Sequence, residues 1–284
     1  MAVSCPGSAA GTARLGIRAV QVGPRRLEVA EVPGREDQAP LVFLHEGLGC
    51  VALWRSFPQR LASATGRRAI VYSRAGYGSS DPATLPRPVR YMHDEALDVL
   101  PAVLDALDVT CPVLVGHSDG GSIALIHAGG SGRAVGGLVL LAPHVFVEPR
   151  TLDGIRAARR AYLEGDLAAR LGRYHAHPDN AFWGWNDVWL SPQFVDWNIE
   201  AYLPAVSAPA LVVQGVDDPY GSLAQVDAIA RGSGAPVQAH VLDRCGHSPH
   251  LEHPDETARA VLSWLEAQAG SSPTPRERPS RRAR

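Results

Sequence analysis

Val113-Leu114-Val115-Gly116-His117-Ser118-Asp119-Gly120-Gly121 opens as an apolar, β-branched run, stops at a glycine, reaches a serine two residues later and then meets two more glycines. Ile123, Ala124, Ile126 and His127 follow at helical spacing. Strand, sharp turn and helix in that order are the setting that Gly-x-Ser-x-Gly requires. The turn forces Ser118 into a strained backbone conformation and stands its hydroxyl clear at the tip of the sheet. Gly116 and Gly120 are needed because side chains there would collide where strand and helix cross. The helix N-terminus behind Ser118 leaves the Asp119 N–H free for a developing oxyanion. Without its context the same motif reads as a plain turn, so the flanking strand and helix carry the reading.

Outward from this stretch, short apolar runs alternate with helical patterns. Ile17–Val22 and Arg26–Val32 read as two strands of an antiparallel edge, joined at Gly23-Pro24. Pro40–His45 has the length of a buried central strand, and Trp54, Phe57 and Leu61 follow at helical spacing. Ala69–Tyr72 is a further strand, leading into the glycine-rich loop Ser73–Ser80. That loop lacks the lysine and helix start of a phosphate cradle. Met92–Leu107 reads as an amphipathic helix that Pro101 kinks or splits. Beyond the serine, strands are expected at Val135–Ala142, Ala210–Gln214 and Gln238–Leu242, with helices at Leu223–Arg231 and Asp255–Gln268. Such alternation implies a mostly parallel sheet with helices on both faces, and sites on such sheets lie at the carboxyl ends of the strands.

Four strand ends carry the chemistry. Ser118 follows one. Gly215-Val216-Asp217-Asp218 follows Leu211–Gln214, Gly246-His247-Ser248 follows shortly after Ala239–Leu242, and His45-Glu46-Gly47-Leu48-Gly49 follows Leu41–Leu44. A serine hydroxyl attacks only when a base takes its proton, and His247 is the candidate base. Asp218 would hold that imidazole in the right tautomer and stabilise its charged form. The oxyanion needs two donors: the N–H of Asp119, and one from the loop after Leu44, with Gly47 first and Leu48 second. His250 and His253 compete for the role of base, and Asp217 and Glu148 for that of acid. His117 and His45 read as packing or hydrogen-bonding residues.

The order Ser, Asp, His along the chain resembles the α/β-hydrolase superfamily, from about residue 15 to 268. The resemblance rests on Gly116-His117-Ser118-Asp119-Gly120, the Gly215…Asp218 turn and Gly246-His247-Ser248-Pro249-His250-Leu251-Glu252. It implies an α/β-hydrolase fold with Ser118, Asp218 and His247 as catalytic residues, and it favours Asp218 over Asp217 and His247 over its neighbours. Many members carry His-Gly-x-x-Gly after the first parallel strand; here Glu46 takes the first glycine's place and puts a carboxylate near the oxyanion hole. A serine rather than an aspartate nucleophile argues against dehalogenase and epoxide hydrolase chemistry.

Domain organisation follows: 1–14 a flexible N-terminus, 15–143 and 205–269 the hydrolase core, 144–204 a helical cap between sheet strands, and 270–284 a disordered tail rich in Arg, Pro and Ser. In the cap, Leu152–Leu163 and Leu167–His175 read as helices. Trp183, Trp185, Trp189 and Trp197 are four of the six tryptophans, and Trp183, Trp185 and Trp189, with Leu48, are candidates for substrate contact. Packing of the cap on the core is the competing role for these rings. Arg156, Arg159, Arg160, Arg170 and Arg173 read as a solvated helix face rather than a carboxylate site.

Composition narrows the rest. A net charge of −2 gives no reason to expect nucleic acid, and no run of eighteen apolar residues offers a membrane span. The N-terminus has no secretory pattern, so a cytoplasmic protein is expected. Cys5, Cys50, Cys111 and Cys245 are scattered, without metal spacing, and read as reduced thiols. No metal site or cofactor loop is visible. The expectation is a cofactor-free serine hydrolase working through an acyl-enzyme on a small ester, lactone or thioester with an apolar or aromatic moiety. A C–C bond hydrolase of ring-cleavage products, using the same triad, is the alternative; a non-catalytic binding protein of the same fold is the reading from another class.

Overall fold

Each short apolar run finds a partner in one eight-stranded sheet of order β1-β2-β4-β3-β5-β6-β7-β8. The strands are β1 (Gly16–Val22), β2 (Arg25–Val32), β3 (Leu41–Leu44), β4 (Ala69–Tyr72), β5 (Val113–His117), β6 (Gly137–Leu141), β7 (Ala210–Gly215) and β8 (Val237–Leu242). This computed structural model describes residues 16–270. The segments expected to be flexible (1–14) and disordered (270–284) lie outside them, apart from Gly270. β1 and β2 pair antiparallel, as do β2 and β4, and from β4 to β8 every pairing is parallel.

Strand ends differ from the sequence reading by a residue or two, for local reasons. β3 stops before His45, whose Nε2 accepts the Arg74 N–H at 3.0 Å. β6 stops before Ala142, which turns to a positive φ of 47°.

The helices are α1 (Phe57–Thr65), α2 (Tyr91–Asp94), α3 (Leu100–Ala106), α4 (Asp119–Gly130), α5 (Pro149–Glu164), α6 (Leu167–Leu171), α7 (Pro178–Trp189), α8 (Leu223–Gly232), α9 (Pro249–Glu252) and α10 (Pro254–Gly270). The split expected at Pro101 appears as a π turn, Glu95–Val99, between α2 and α3. Proline has no N–H for the carbonyl four residues back, so the helix widens to the next donor. α5 begins three residues before the expected Leu152 because Glu148 and Thr151 form a reciprocal capping box. Among the described residues no helix is long and apolar enough to cross a membrane.

Period-two alternation divides the core. Leu41, Phe43, Val113, Val115, Val139 and Leu141 face Trp54, Phe57, Leu61 and Trp264 on one side of the sheet. Val42, Leu44, Leu114, Leu138 and Leu140 face the other, with Ile123 and Ile126 of α4. β3, β5, β6 and β7 are buried at every position. Each fully buried aliphatic side chain contributes about 1.5–3 kcal/mol against leaving it in water. The central strands are thus the rigid platform that fixes their carboxyl ends. Between β6 and β7 the chain leaves the sheet and builds α5, α6 and α7 before returning. Arg156, Arg159 and Arg170 of that excursion form exposed ion pairs with Asp153, Asp187 and Asp166.

Candidate active site

Ser118 stands between β5 and α4 with φ 52° and ψ −117°, a conformation that costs a non-glycine residue on the order of 1–3 kcal/mol. The packing around it leaves little choice. A Cβ on Gly116 would strike the Gly120 carbonyl, and one on Gly120 would strike the Leu44 carbonyl. A Cβ on Gly121 would lie 2.9 Å from the Pro143 side chain. Strand, turn and helix therefore meet only with glycine at these places, and the close fit holds Ser118 in its strained state.

The structure brings Asp218 and His247 together. His247 Nδ1 lies 2.8 and 3.0 Å from the two carboxylate oxygens of Asp218. The carboxylate also accepts from Gln214 Nε2 at 2.8 Å and from the Tyr220 N–H at 2.8 Å. Burial would push the Asp218 carboxyl up. The hydrogen bond and charge of His247, with the Tyr220 N–H, outweigh it and hold the group at about 2. With Nδ1 so engaged, Nε2 is the ring nitrogen left for proton transfer. Asp217, the competing acid, is exposed. Glu148 instead accepts from Ser222 and Gln225. His250 packs against Trp54 and Phe57, and His253 is bonded to the Arg244 carbonyl.

The loop after β3 makes a tight turn in which the Gly49 N–H donates to the Glu46 carbonyl at 3.1 Å, with Gly47 and Leu48 at its centre. Trp185 lies directly over Gly47, and a Cβ there would collide with the indole. The Asp119 carboxylate accepts from Tyr91 Oη at 2.5 Å, while Trp189 Nε1 donates to that same hydroxyl at 2.9 Å. The Glu46 carboxylate faces His117, 3.3 Å from its Nδ1.

A cavity of about 90 Å³ joins these parts, lined by Gly47, Leu48, Ser118, Asp119, Trp185, Trp189 and His247, and by Glu46, His144, Thr151, Ile155 and Tyr220. Trp183 is not among them. Its ring packs on Tyr162 and Phe182 beneath Arg159 and faces an outer groove beside Leu85–Val89. Helical phase explains this: Trp185 and Trp189 share one face of α7, and Trp183 lies on another. That periodicity was available in the sequence as a signal.

His144, Thr151, Ile155 and Tyr220 were not singled out from the sequence. Thr151 and Ile155 share one face of α5, His144 follows β6 and Tyr220 follows β7, and no motif links them. His144 is 2 % exposed and its Nδ1 has no partner. Burial, then the charge of His247, push its imidazole down to about 3, so it is neutral. The arrangement supplies a hydroxyl at the tip of a sheet, an imidazole oriented by a buried carboxylate, and main-chain donors beside them. These are the components of acyl transfer.

Comparison with known proteins agrees with this fold. The profile of the alpha/beta hydrolase family matches residues 41–260. A 2-hydroxymuconate semialdehyde hydrolase of Pseudomonas sp. (strain CF600) is 31% identical over 263 residues, covering 82% of this chain and 89% of the relative. A 2-hydroxy-6-oxononadienedioate/2-hydroxy-6-oxononatrienedioate hydrolase of Dechloromonas aromatica (strain RCB) is 28% identical over 257 residues, with 79% and 86% covered. Among solved structures, a proline iminopeptidase of Mycobacterium smegmatis superposes with a TM-score of 0.68 at 22% identity, covering 89% of this chain and 98% of that one.

Proposed function

The chain belongs to the alpha/beta hydrolase family, and we propose that it hydrolyses an activated carbon–carbon bond beside a carbonyl group, through an acyl-enzyme on Ser118. This replaces the ester, lactone or thioester substrate expected from the sequence with what the sequence held as its alternative. The observation that carries it is the kind of relative matched along most of the chain. The compounds in the relatives' names carry an oxo or aldehyde carbonyl on an unsaturated acid and no ester or amide. Hydrolysis of such a compound breaks the C–C bond next to the carbonyl. With the 2-hydroxyl in its keto form, the electron pair of that bond is delocalised to the oxygen at C2.

In this reading Ser118 Oγ attacks the carbonyl carbon while His247 Nε2 takes its proton. The N–H groups of Asp119 and Gly47 hold the oxyanion, and Asp218 stabilises the imidazolium. Collapse expels the carbon leaving group, and a proton is returned to the product. Water, activated by the same His247, then releases the acyl group as an acid. The excursion of α5–α7 acts as a cap, placing Ile155, Trp185 and Trp189 over Ser118.

The lining of the cavity supports a small, uncharged acyl half. No arginine lines it among the described residues, and Ile155, Trp185 and Trp189 suit an apolar acyl group better than a carboxyalkyl chain. The same feature favours one second reading, hydrolysis of short-chain esters. Assay with ring-cleavage products bearing formyl, acetyl, phenyl-carbonyl or carboxyalkyl-carbonyl ends, beside p-nitrophenyl acetate and butyrate, separates them. The formyl and acetyl compounds are expected to react best, and Ser118→Ala to lower turnover by about three orders of magnitude or more. Preference for the nitrophenyl esters would replace the C–C reading with the ester one. Undiminished turnover by Ser118→Ala would remove both and leave the binding-protein reading.

A further inference from the structure

His117 occupies the variable position before the serine of Gly-x-Ser-x-Gly, and its side chain is 1 % exposed. Its ring lies 5.1 Å from that of His247, 5.0 Å from His250 and 6.3 Å from Trp54. Nε2 is 2.7 Å from the main-chain carbonyl oxygen of His247. A carbonyl oxygen only accepts, so Nε2 carries a hydrogen. Nδ1 faces Glu46 Oε2 at 3.3 Å. An ionised carboxylate also only accepts, so Nδ1 carries a hydrogen as well. A neutral imidazole has one N–H and cannot satisfy both partners; an imidazolium can.

We propose that Glu46 and His117 are a charged positioning pair that fixes the main chain of His247 from behind; this rests on the reading of His247 as the base. His247 needs such support. It sits in a loop beyond the end of β8, without ladder hydrogen bonds of its own. Glu252 grips the loop from one side, accepting from the Gly246 N–H at 2.7 Å and the Ser248 N–H at 2.9 Å. His117 grips the carbonyl between those two amides. The main chain is then held on both flanks and at the centre, which limits the side chain to the orientation in which Nδ1 meets Asp218. Glu46 is therefore the counter-ion of an imidazolium, which explains a carboxylate where many of the family's members have glycine.

The surroundings agree in sign. Burial would lower His117, but the hydrogen bond and charge of Glu46, the His247 carbonyl and Asp218 raise it. Desolvation would raise Glu46, but the hydrogen bond and charge of His117 hold it well below the usual carboxylate range. Of the two titratable rings against His117, His250 is held neutral and does not compete for the proton, and His247 meets it through its main-chain carbonyl.

Two measurements on the full-length protein test the pair without knowledge of the substrate. In ¹⁵N-histidine spectra at neutral pH, both ring nitrogens of His117 are expected to be protonated, and Glu46→Gln to return the ring to one neutral tautomer. The second measurement is the rate at which a fluorophosphonate acylates Ser118, alongside urea unfolding of each variant. Loss of the donor in His117→Leu should slow acylation about tenfold or more, while His117→Gln, whose amide N–H can replace Nε2–H, should stay within about threefold of the parent. A neutral His117 in the parent protein overturns the proposal. So does acylation of His117→Leu at the parental rate, or equal slowing of both variants in step with lost stability. If the parent protein itself resists the probe, the hydrolase reading fails, while the spectra still decide whether the charged pair exists.

Discussion

Asp218 and Asp217 are chemically identical neighbours with opposite surroundings. Asp218 is buried among donors from His247, Gln214 and Tyr220, whereas Asp217 is exposed. An amide at 218 would offer His247 Nδ1 an N–H or a weaker acceptor and would no longer stabilise the imidazolium. Asp218→Asn is therefore expected to reduce fluorophosphonate acylation by about 10³-fold or more, and Asp217→Asn to stay within about twofold. The reverse result would move the acid to Asp217. With its carboxyl at about 2, Asp218 stays ionised down to strongly acid pH and imposes no limb on a rate profile above pH 4. This pair was legible in the sequence because each residue follows its own strand at a fixed offset. Glu46 was legible only as a departure: its identity showed that a carboxylate was present, but its direction depends on the distant ring of His117. His144 was not legible, since nothing in a local pattern distinguishes a buried imidazole beside a cavity from one in the core.

At the scale of elements, the helix α7 shows what a list of aromatic residues leaves out. Phe182, Trp185 and Trp189 fall on its inner face, and Trp183 does not. Trp185→Ala opens the cavity over Gly47, whereas Trp183→Ala only removes contacts with Tyr162, Phe182 and Arg159. We expect kcat/KM toward the preferred substrate to fall about tenfold or more for Trp185→Ala and to stay within about threefold for Trp183→Ala. Equal effects would mean that the outer groove, not the cavity, receives substrate. The strands themselves were readable as short apolar runs because both faces of β3 and β5–β7 are covered. Their ends were less so, because termination depends on individual groups such as Ala142 and His45. The π turn before α3 was visible only as an irregularity at Pro101.

Taken as a whole, and apart from His117, whose raised affinity for a proton acts in the opposite sense, the molecule carries neutral imidazoles in its interior, and these set its loss of stability in acid. Burial, then the charge of His247, holds His144 at about 3; burial, then the charge of His117, holds His250 at about 3. In the unfolded chain a histidine titrates near 6.5. Between those values the unfolded state binds the extra proton. Stability is therefore complete above about pH 6.5 and falls as pH drops toward 3, by up to ~1.4 kcal/mol per pH unit for each ring. The urea unfolding free energy should decline by about 2 kcal/mol or more between pH 7 and pH 5, and His250→Gln should make that decline measurably shallower. A pH-independent free energy over this interval would contradict the burial of neutral rings.

The crowding of indoles into α7 and the segment after it has an optical consequence. Four of the six tryptophans lie between residues 183 and 197, and Trp185 and Trp189 border the space beside Ser118. Trp189 also shares a hydrogen bond with Tyr91, whose hydroxyl leads to Asp119. Most of the protein's indole absorption thus originates within one helical excursion, next to the chamber. The chain carries a built-in fluorophore set whose spectrum reports whether that chamber is wet, filled or open.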